Sequence, residues 1–217
     1  MNRTVKILRT CASAAGLAAL CVPALTFSAP AAAQASTADP LNQVVEALRG
    51  ISTLKANFTQ TDRAGQTVNG VLTLKRPGRI RFQYQKGVPL LIVGDGKALT
   101  LIDYEVRQVQ RWPIGNSPLG ALLDPRRDVA KVGTLKPTST RDVISVEVRD
   151  SQHPEYGVIT LIFVRKPSAP GGLELTSWVS LDSQNTRTTI HLSNQQYGID
   201  VPDSTFRWTD PRNRTRR

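Results

Sequence analysis

The sequence is poor in side chains that do chemistry. Its two cysteines, Cys11 and Cys21, both lie near the amino terminus, in a stretch read below as a removable leader. The chain that remains then has no disulfide, no thiolate and no zinc site built on cysteine. Histidine is equally scarce, with only His153 and His191 present. His191 alternates with Ile190 and Leu192, a pattern that predicts a surface position on a strand. His153 stands before Pro154 with Glu155 beside it, too few ligands for a metal ion. Ser117 lies in Gly115-Asn116-Ser117-Pro118-Leu119-Gly120, one residue out of register with a nucleophile elbow. Gly94-Asp95-Gly96 joins two strand patterns and opens no helix, so it predicts a hairpin turn and not a phosphate cradle. The acidic residues cluster in turns and near basic neighbours. No catalytic constellation emerges, and the expectation is a binding protein with no enzymatic activity, no metal and no cofactor.

Long apolar runs are absent except over residues 11–27. Arg3, Lys6 and Arg9 precede that run, and Ala31-Ala32-Ala33 follows it, with Ala33-Gln34-Ala35 as a rival processing site. The run is short for a membrane span and closes on a cleavage signal. A signal peptide over residues 1–33 is expected, cut after Ala33 or Ala35, with export to the periplasm. Lipidation at Cys21 needs a small residue before it, and Leu20 stands there, so the mature chain is expected to be unanchored. At about 180 residues that chain supports one sizeable core, and a single domain over residues 39–210 is expected.

The formal net charge is +11, and loss of Arg3, Lys6 and Arg9 leaves 25 basic against 17 acidic groups. Four of the basic groups are Arg212, Arg214, Arg216 and Arg217. Residues 211–217 read as a basic, disordered tail that could be drawn to anionic membrane surfaces. The other basic residues are scattered and fit no RNA- or DNA-binding motif, so nucleic acid is not an expected partner.

What the sequence does hold is alternation. Over residues 70–111, Leu72 and Leu74 share a face, as do Ile80, Phe82 and Tyr84, and then Leu99 and Leu101. Period two marks a sheet with one apolar side. Leu54, Ala56 and Phe58 open the series, and residues 90–93 are apolar on both faces, which predicts cover on both. Residues 106–111 are expected to pair with residues 98–102. Further on, residues 143–149 and 158–165 read as hairpin partners, with Ile144, Val146 and Val148 set against Ile159, Leu161 and Phe163. Residues 173–181 and 186–192 form another hairpin, and Ile199, Val201 and Phe206 around Pro202 predict an edge extension. No helix long enough for a parallel crossover separates the strands, so the sheet is expected to be antiparallel, a highly curved or incompletely closed barrel.

Two helices punctuate the strands. Asp39 caps the first, Pro40 suits its first turn, and Leu41, Val44, Val45 and Leu48 form its apolar stripe up to Gly50. Ser117-Pro118 predicts the start of a second, with Leu119, Leu122 and Leu123 on one face and Asp124-Pro125 at its end. A short greasy helix in an all-strand chain reads either as a packed connector or as a lid over the mouth of a curved sheet.

These segments together resemble the periplasmic outer-membrane lipoprotein carrier family, LolA. The resemblance rests on Ala56-Asn57-Phe58-Thr59-Gln60-Thr61, on residues 70–81 with Lys75-Arg76-Pro77, and on Val93-Gly94-Asp95-Gly96-Lys97. It continues through Asp103-Tyr104, Gln108-Val109, Ser117-Pro118-Leu119 and Leu122-Leu123. It departs at Arg79 and Arg81, where the family often carries less charge, and in the arginine-rich tail. The resemblance implies a mainly β fold with a helical lid, an unclosed antiparallel barrel of about eleven strands around a hydrophobic cavity. It implies a chaperone that carries acylated lipoproteins, takes them from an inner-membrane ABC-type releasing complex (LolCDE-like) and delivers them to an outer-membrane acceptor (LolB-like), acting as a monomer. A sensor or regulator on the same fold is the alternative. The expected acyl-binding wall comprises Phe58, Leu72, Leu74, Ile80, Phe82, Tyr84, Leu99, Leu101, Val146, Leu161 and Trp178. The expected lid comprises Leu41, Val44, Val45 and Leu48 of the first helix with Leu119, Leu122 and Leu123 of the second, latched by Arg76.

Overall fold

The computed structural model describes residues 39–117, 119–123 and 129–212. The expected signal peptide, both cysteines, Pro118, Asp124-Pro125 and the last three arginines lie outside the described residues. Helix α1 spans Pro40–Gly50, with the Asp39 carboxylate accepting a hydrogen bond from the Leu41 amide at 3.2 Å. Six strands follow: β1 Thr53–Thr61, β2 Thr67–Lys75, β3 Arg79–Tyr84, β4 Leu90–Asp95, β5 Ala98–Asp103 and β6 Gln108–Pro113. A 3-10 turn over Ile114–Asn116 leads to helix α2, Gly120–Leu123, and helix α3, Val129–Val132. Strands β7 Gly133–Lys136, β8 Val143–Arg149, β9 Val158–Arg165, β10 Leu173–Leu181 and β11 Arg187–Tyr197 complete the sheet.

All eleven strands form one sheet in the order β6-β5-β4-β3-β2-β1-β11-β10-β9-β8-β7. Every neighbouring pair is antiparallel. The order follows from hairpins built outward on both sides of β1 and β11, which meet in the middle. The edges β6 and β7 do not pair, so the barrel stays open. In the sequence the two short helices α2 and α3 fall between those edge strands.

One face of the sheet carries the main core. Phe58, Leu72, Leu74, Ile80, Val146, Leu161, Phe163 and Trp178 are buried there against Val44, Ala47 and Leu48 of α1 and Leu122 and Leu123 of α2. Helix α1 docks tightly on the 3-10 turn Pro170–Gly172: a Cβ added at Gly171 would sit 2.7 Å from the Ala47 amide nitrogen.

The sequence expectations need three corrections. The segment from Ile199 to Phe206 does not extend an edge. Val201 and Phe206 pack on the opposite face of the sheet against Leu91, Val93 and Ile102. The reason is chemical: β4 is apolar on both sides, and its outer side needs a cover. Lys75 Nζ donates to the Val201 carbonyl and to the Asp203 carboxylate, each at 2.7 Å, and Arg79 also pairs with Asp203. Arg81 Nη1 donates to the Thr205 and Arg207 carbonyls at 3.2 and 3.0 Å. Arg79 and Arg81 thus strap the carboxy-terminal segment down.

Val106, expected in a strand, lies in the β5–β6 turn and is 65% exposed. The Asp103 carboxylate accepts from the Glu105 and Val106 amides, and Arg107 takes a φ of 54°, which delays β6 to Gln108. Helix α2 begins at Gly120 and not directly after Ser117. The Ser117 side chain makes a contact on the other side. Its hydroxyl donates back to the Ile114 carbonyl at 2.9 Å and closes the preceding 3-10 turn. Helix α3 and strand β7 carry no signal in the sequence; at four residues each they are too short to show a period.

Candidate functional site

A cavity of about 390 Å³ opens on the helix-covered face, between the β3–β5 wall, the β10–β11 hairpin and the segment that leads into α2. That volume falls in the lower part of the range for small-ligand sites. Of the expected wall residues, Phe82, Tyr84, Leu99, Leu101 and Trp178 line it. Phe58, Leu72, Leu74, Ile80, Val146 and Leu161 lie in the solid core beside it, each at most 2% exposed. From the expected lid, Leu119 lines the cavity. Leu122, Leu123, Val44, Val45 and Leu48 are buried in the core, with Leu41 packed against it.

Sequence reasoning passes over other lining residues. Leu90 and Ile92 of β4, Trp112 of β6 and Ile190 of β11 extend the apolar wall. Gln60, Ser117, Ser180, Asp182, Thr186 and Thr188 add polar groups. A signal for the β10 and β11 residues is present: Ser180 and Asp182 continue the phase of Trp178, and Thr188 and Thr186 continue that of Ile190.

The cavity floor is aromatic. Phe58 meets Phe82 edge-on at 5.4 Å between ring centres and Tyr84 at 5.3 Å, and Phe82 meets Trp178 at 6.3 Å. Such edge-to-face pairs fix the rings without filling the space above them. The Tyr84 hydroxyl donates to Gln60 Oε1 at 2.8 Å. Burial, partly offset by that bond, pushes the Tyr84 pKa up to about 12, so it stays a neutral donor.

Arg76 joins two covering segments. Its Nε donates to the Ile51 carbonyl at the end of α1 at 2.9 Å, and its Nη2 donates to the Leu122 carbonyl of α2 at 3.0 Å. Its own amide donates to the Ser52 carbonyl at 2.9 Å. The guanidinium is a planar fork with five donors, which lets one residue hold two backbone segments at once. Leu122 and Leu123 add the greasy contact that the hydrogen bonds register.

Nothing in this arrangement is set up for bond-making. The ionisable groups lining the cavity are Tyr84 and Asp182. His153 Nδ1 lies 3.1 Å from Glu155, and its ring stacks on Tyr156 at 4.6 Å. His191 is exposed on β11. Among the described residues no group of three or more His, Cys, Asp or Glu side chains converges as a metal site. Among the same residues no helix is long and apolar enough to cross a membrane. What the geometry can do is hold an apolar body.

Comparison with known proteins agrees with that chemistry. A family profile described as outer membrane lipoprotein carrier protein LolA matches residues 49–209. The outer-membrane lipoprotein carrier protein of Dechloromonas aromatica is 29% identical over 183 residues, covering 80% of this chain and 85% of that protein. The protein of the same description from Chromobacterium violaceum is 29% identical over 201 residues, covering 88% and 94%. Among solved structures, the LolA superfamily protein NE2245 from Nitrosomonas europaea aligns over 78% of this chain and 96% of its own, with a TM-score of 0.45 and 12% identity.

Proposed function

We propose a mode of action for this chain from one premise: it belongs to the outer membrane lipoprotein carrier protein LolA family. As a member of a carrier family it is a binding protein and not an enzyme, and its cargo is lipoprotein. The finer reading is that it works in the periplasm, exported by the leader over residues 1–33. A single domain over residues 39–210 receives the acyl chains of a lipoprotein released from the inner membrane by an ABC-type complex (LolCDE-like). It then surrenders them, as a monomer, to an outer-membrane acceptor (LolB-like).

The observation that carries this reading is an apolar cavity beside the segment that leads into α2, a short helix whose Leu122 carbonyl accepts from Arg76. The energetics explain why both parts are needed. Exposed acyl chains cost about 0.8 kcal/mol per methylene, so three chains sum to roughly 30 kcal/mol and cannot cross water bare. A carrier that buried them without any opposing term would never let them go. The closed lid supplies the opposing term. Its Leu122 and Leu123 contacts and the two Arg76 hydrogen bonds must be given up before the cavity enlarges, which lowers the net affinity by the cost of opening. Arg76 is the latch in this reading, and Phe82, Tyr84, Leu99, Leu101 and Trp178 are the wall that meets the first chain. Phe58, Leu72, Leu74, Ile80, Val146 and Leu161 join that wall when the lid helices swing away.

The test is binding of acylated against deacylated lipoprotein by Phe82→Glu. A carboxylate in that wall lowers retention of the acylated form at least tenfold and leaves any weak binding of the deacylated form as it was. Equal loss of both forms, or no loss, contradicts the reading.

A further inference from the structure

The cavity wall changes character at one level on several strands. On β1 the inward series Leu54, Ala56, Phe58 ends in Gln60; on β11 Ile190 gives way to Thr188; on β10 Trp178 gives way to Ser180. The strand register makes these neighbours. Gln60 pairs with Ile190, Ile190 with Trp178, and Thr188 with Ser180. On β3 the same level is met by Tyr84, whose hydroxyl reaches Gln60 at 2.8 Å. The other wall, from β4 and β5, stays apolar throughout with Leu90, Ile92, Leu99 and Leu101. A greasy wall and a polar shelf thus share one cavity.

The shelf keeps hydrogen-bonding capacity in hand. Gln60 uses only its carbonyl oxygen, toward Tyr84. The Gln60 amide nitrogen and the Thr188 hydroxyl make no hydrogen bond among the described residues. Ser180 makes only a long bond, 3.4 Å, to the Thr188 carbonyl. Beyond them, at the rim, Asp182 turns Oδ1 to the Gln184 and Thr186 amides and leaves Oδ2 without a partner among the described residues. Among the described residues no basic side chain lines the cavity. Neutral donors beside an apolar space complement an acyl chain whose carboxyl is uncharged, as an ester or an amide. A free carboxylate or a phosphate finds no cation among the described lining residues and meets the Asp182 charge instead.

We propose that Gln60, Tyr84, Ser180 and Thr188 form a subsite for the ester and amide linkages that join acyl chains to a lipoprotein's amino-terminal residue, and that Asp182 turns anionic lipids away. The subsite rests on the carrier reading and adds a means of selection to it. Apolar packing alone cannot tell a lipoprotein's chains from those of a free fatty acid. Unpaired polar groups at the shelf can, because they are left unsatisfied by the wrong ligand.

The experiment loads the mature protein with the hydrocarbon probe diphenylhexatriene and displaces it with a synthetic triacylated lipopeptide or with palmitate. In the double variant Gln60→Leu, Thr188→Val the lipopeptide loses about tenfold in affinity, while the affinity for the probe holds or rises. In Asp182→Asn palmitate displaces the probe several-fold better, in the sense expected for removal of a like charge. Lipopeptide that displaces the probe equally well from wild type and double variant overturns the subsite and leaves the carrier reading standing. A parallel weakening of probe and lipopeptide in the double variant overturns the subsite in the same way. Palmitate that gains nothing in Asp182→Asn overturns the role of that carboxylate. Lipopeptide that fails to displace the probe from the wild type overturns subsite and carrier together.

Discussion

Arg76 is the proposed latch because it links the end of α1 to α2. One guanidinium bonds the carbonyl that ends α1 and a carbonyl inside α2, and hydrogen bonds from a charged donor contribute about 1.5–3 kcal/mol each. In Arg76→Ala the closed, empty state is expected to lose about 2 kcal/mol relative to the open one. Cargo then binds more tightly, and handover to an acceptor slows by about tenfold or more. A reconstituted transfer assay reads this directly; unchanged transfer removes the latch role. Two tyrosines give a second prediction at this scale. Burial raises Tyr84 and Tyr197 from 10.0 to about 12, with the Glu174 charge adding to the effect at Tyr197. A group whose folded pKa is raised holds its proton more firmly when folded. Its contribution to stability is complete below pH 10 and is lost as the pH rises from 10 to about 12. Ultraviolet titration of the four tyrosines should show two ionising late, with denaturant unfolding growing easier over that window. Four phenols that ionise together near pH 10 contradict it.

Among the elements, α1 and α2 differ in how firmly they are held. Helix α1 closes over Gly171, which takes a φ of 62° with Ala47 against it. Gly171→Ala therefore forces both backbone strain and a clash, about 2 kcal/mol, and thermal melting should fall by roughly 5 °C. A melting point that does not move shows that α1 is not docked as described. Helix α2 has four residues and is held by its buried leucines and by Arg76; in the proposed mechanism it is the part that swings. Much of this is legible in the sequence. The cap and stripe of α1 are local signals, and the β8–β9 register pairs Ile144 with Phe163, Val146 with Leu161 and Val148 with Ile159, as alternation requires. What escapes it is height and side. Period two says which face a residue takes, not how far along the strand the cavity begins, so Phe58 and Leu72 read no differently from Phe82 and Leu99. Ile199, Val201 and Phe206 alternate like a strand, yet only the contacts of Lys75, Arg79 and Arg81 reveal that they cover the outer face.

From residue 39 onward the described residues form an open sheet in which the first and last strands pair. That topology separates two requirements that a closed barrel would merge. The flank from β7 to β10 packs against α1, and the core there supplies stability. The flank from β3 to β6 borders the apolar cavity. Both edges are protected against pairing with another chain: β6 carries Arg111 and ends at Pro113, and β7 is short and ends at Lys136 before Pro137. The central claim is that the vacant space is filled in the cell by the acyl chains of a polypeptide. Native mass spectrometry of the protein taken from the cell envelope without detergent tests it most directly. The expected result is a population heavier by the mass of an acylated polypeptide, lost when the cargo's lipid-bearing residue is removed. A protein recovered only empty, or carrying phospholipid or free fatty acid and never an acylated chain, contradicts it.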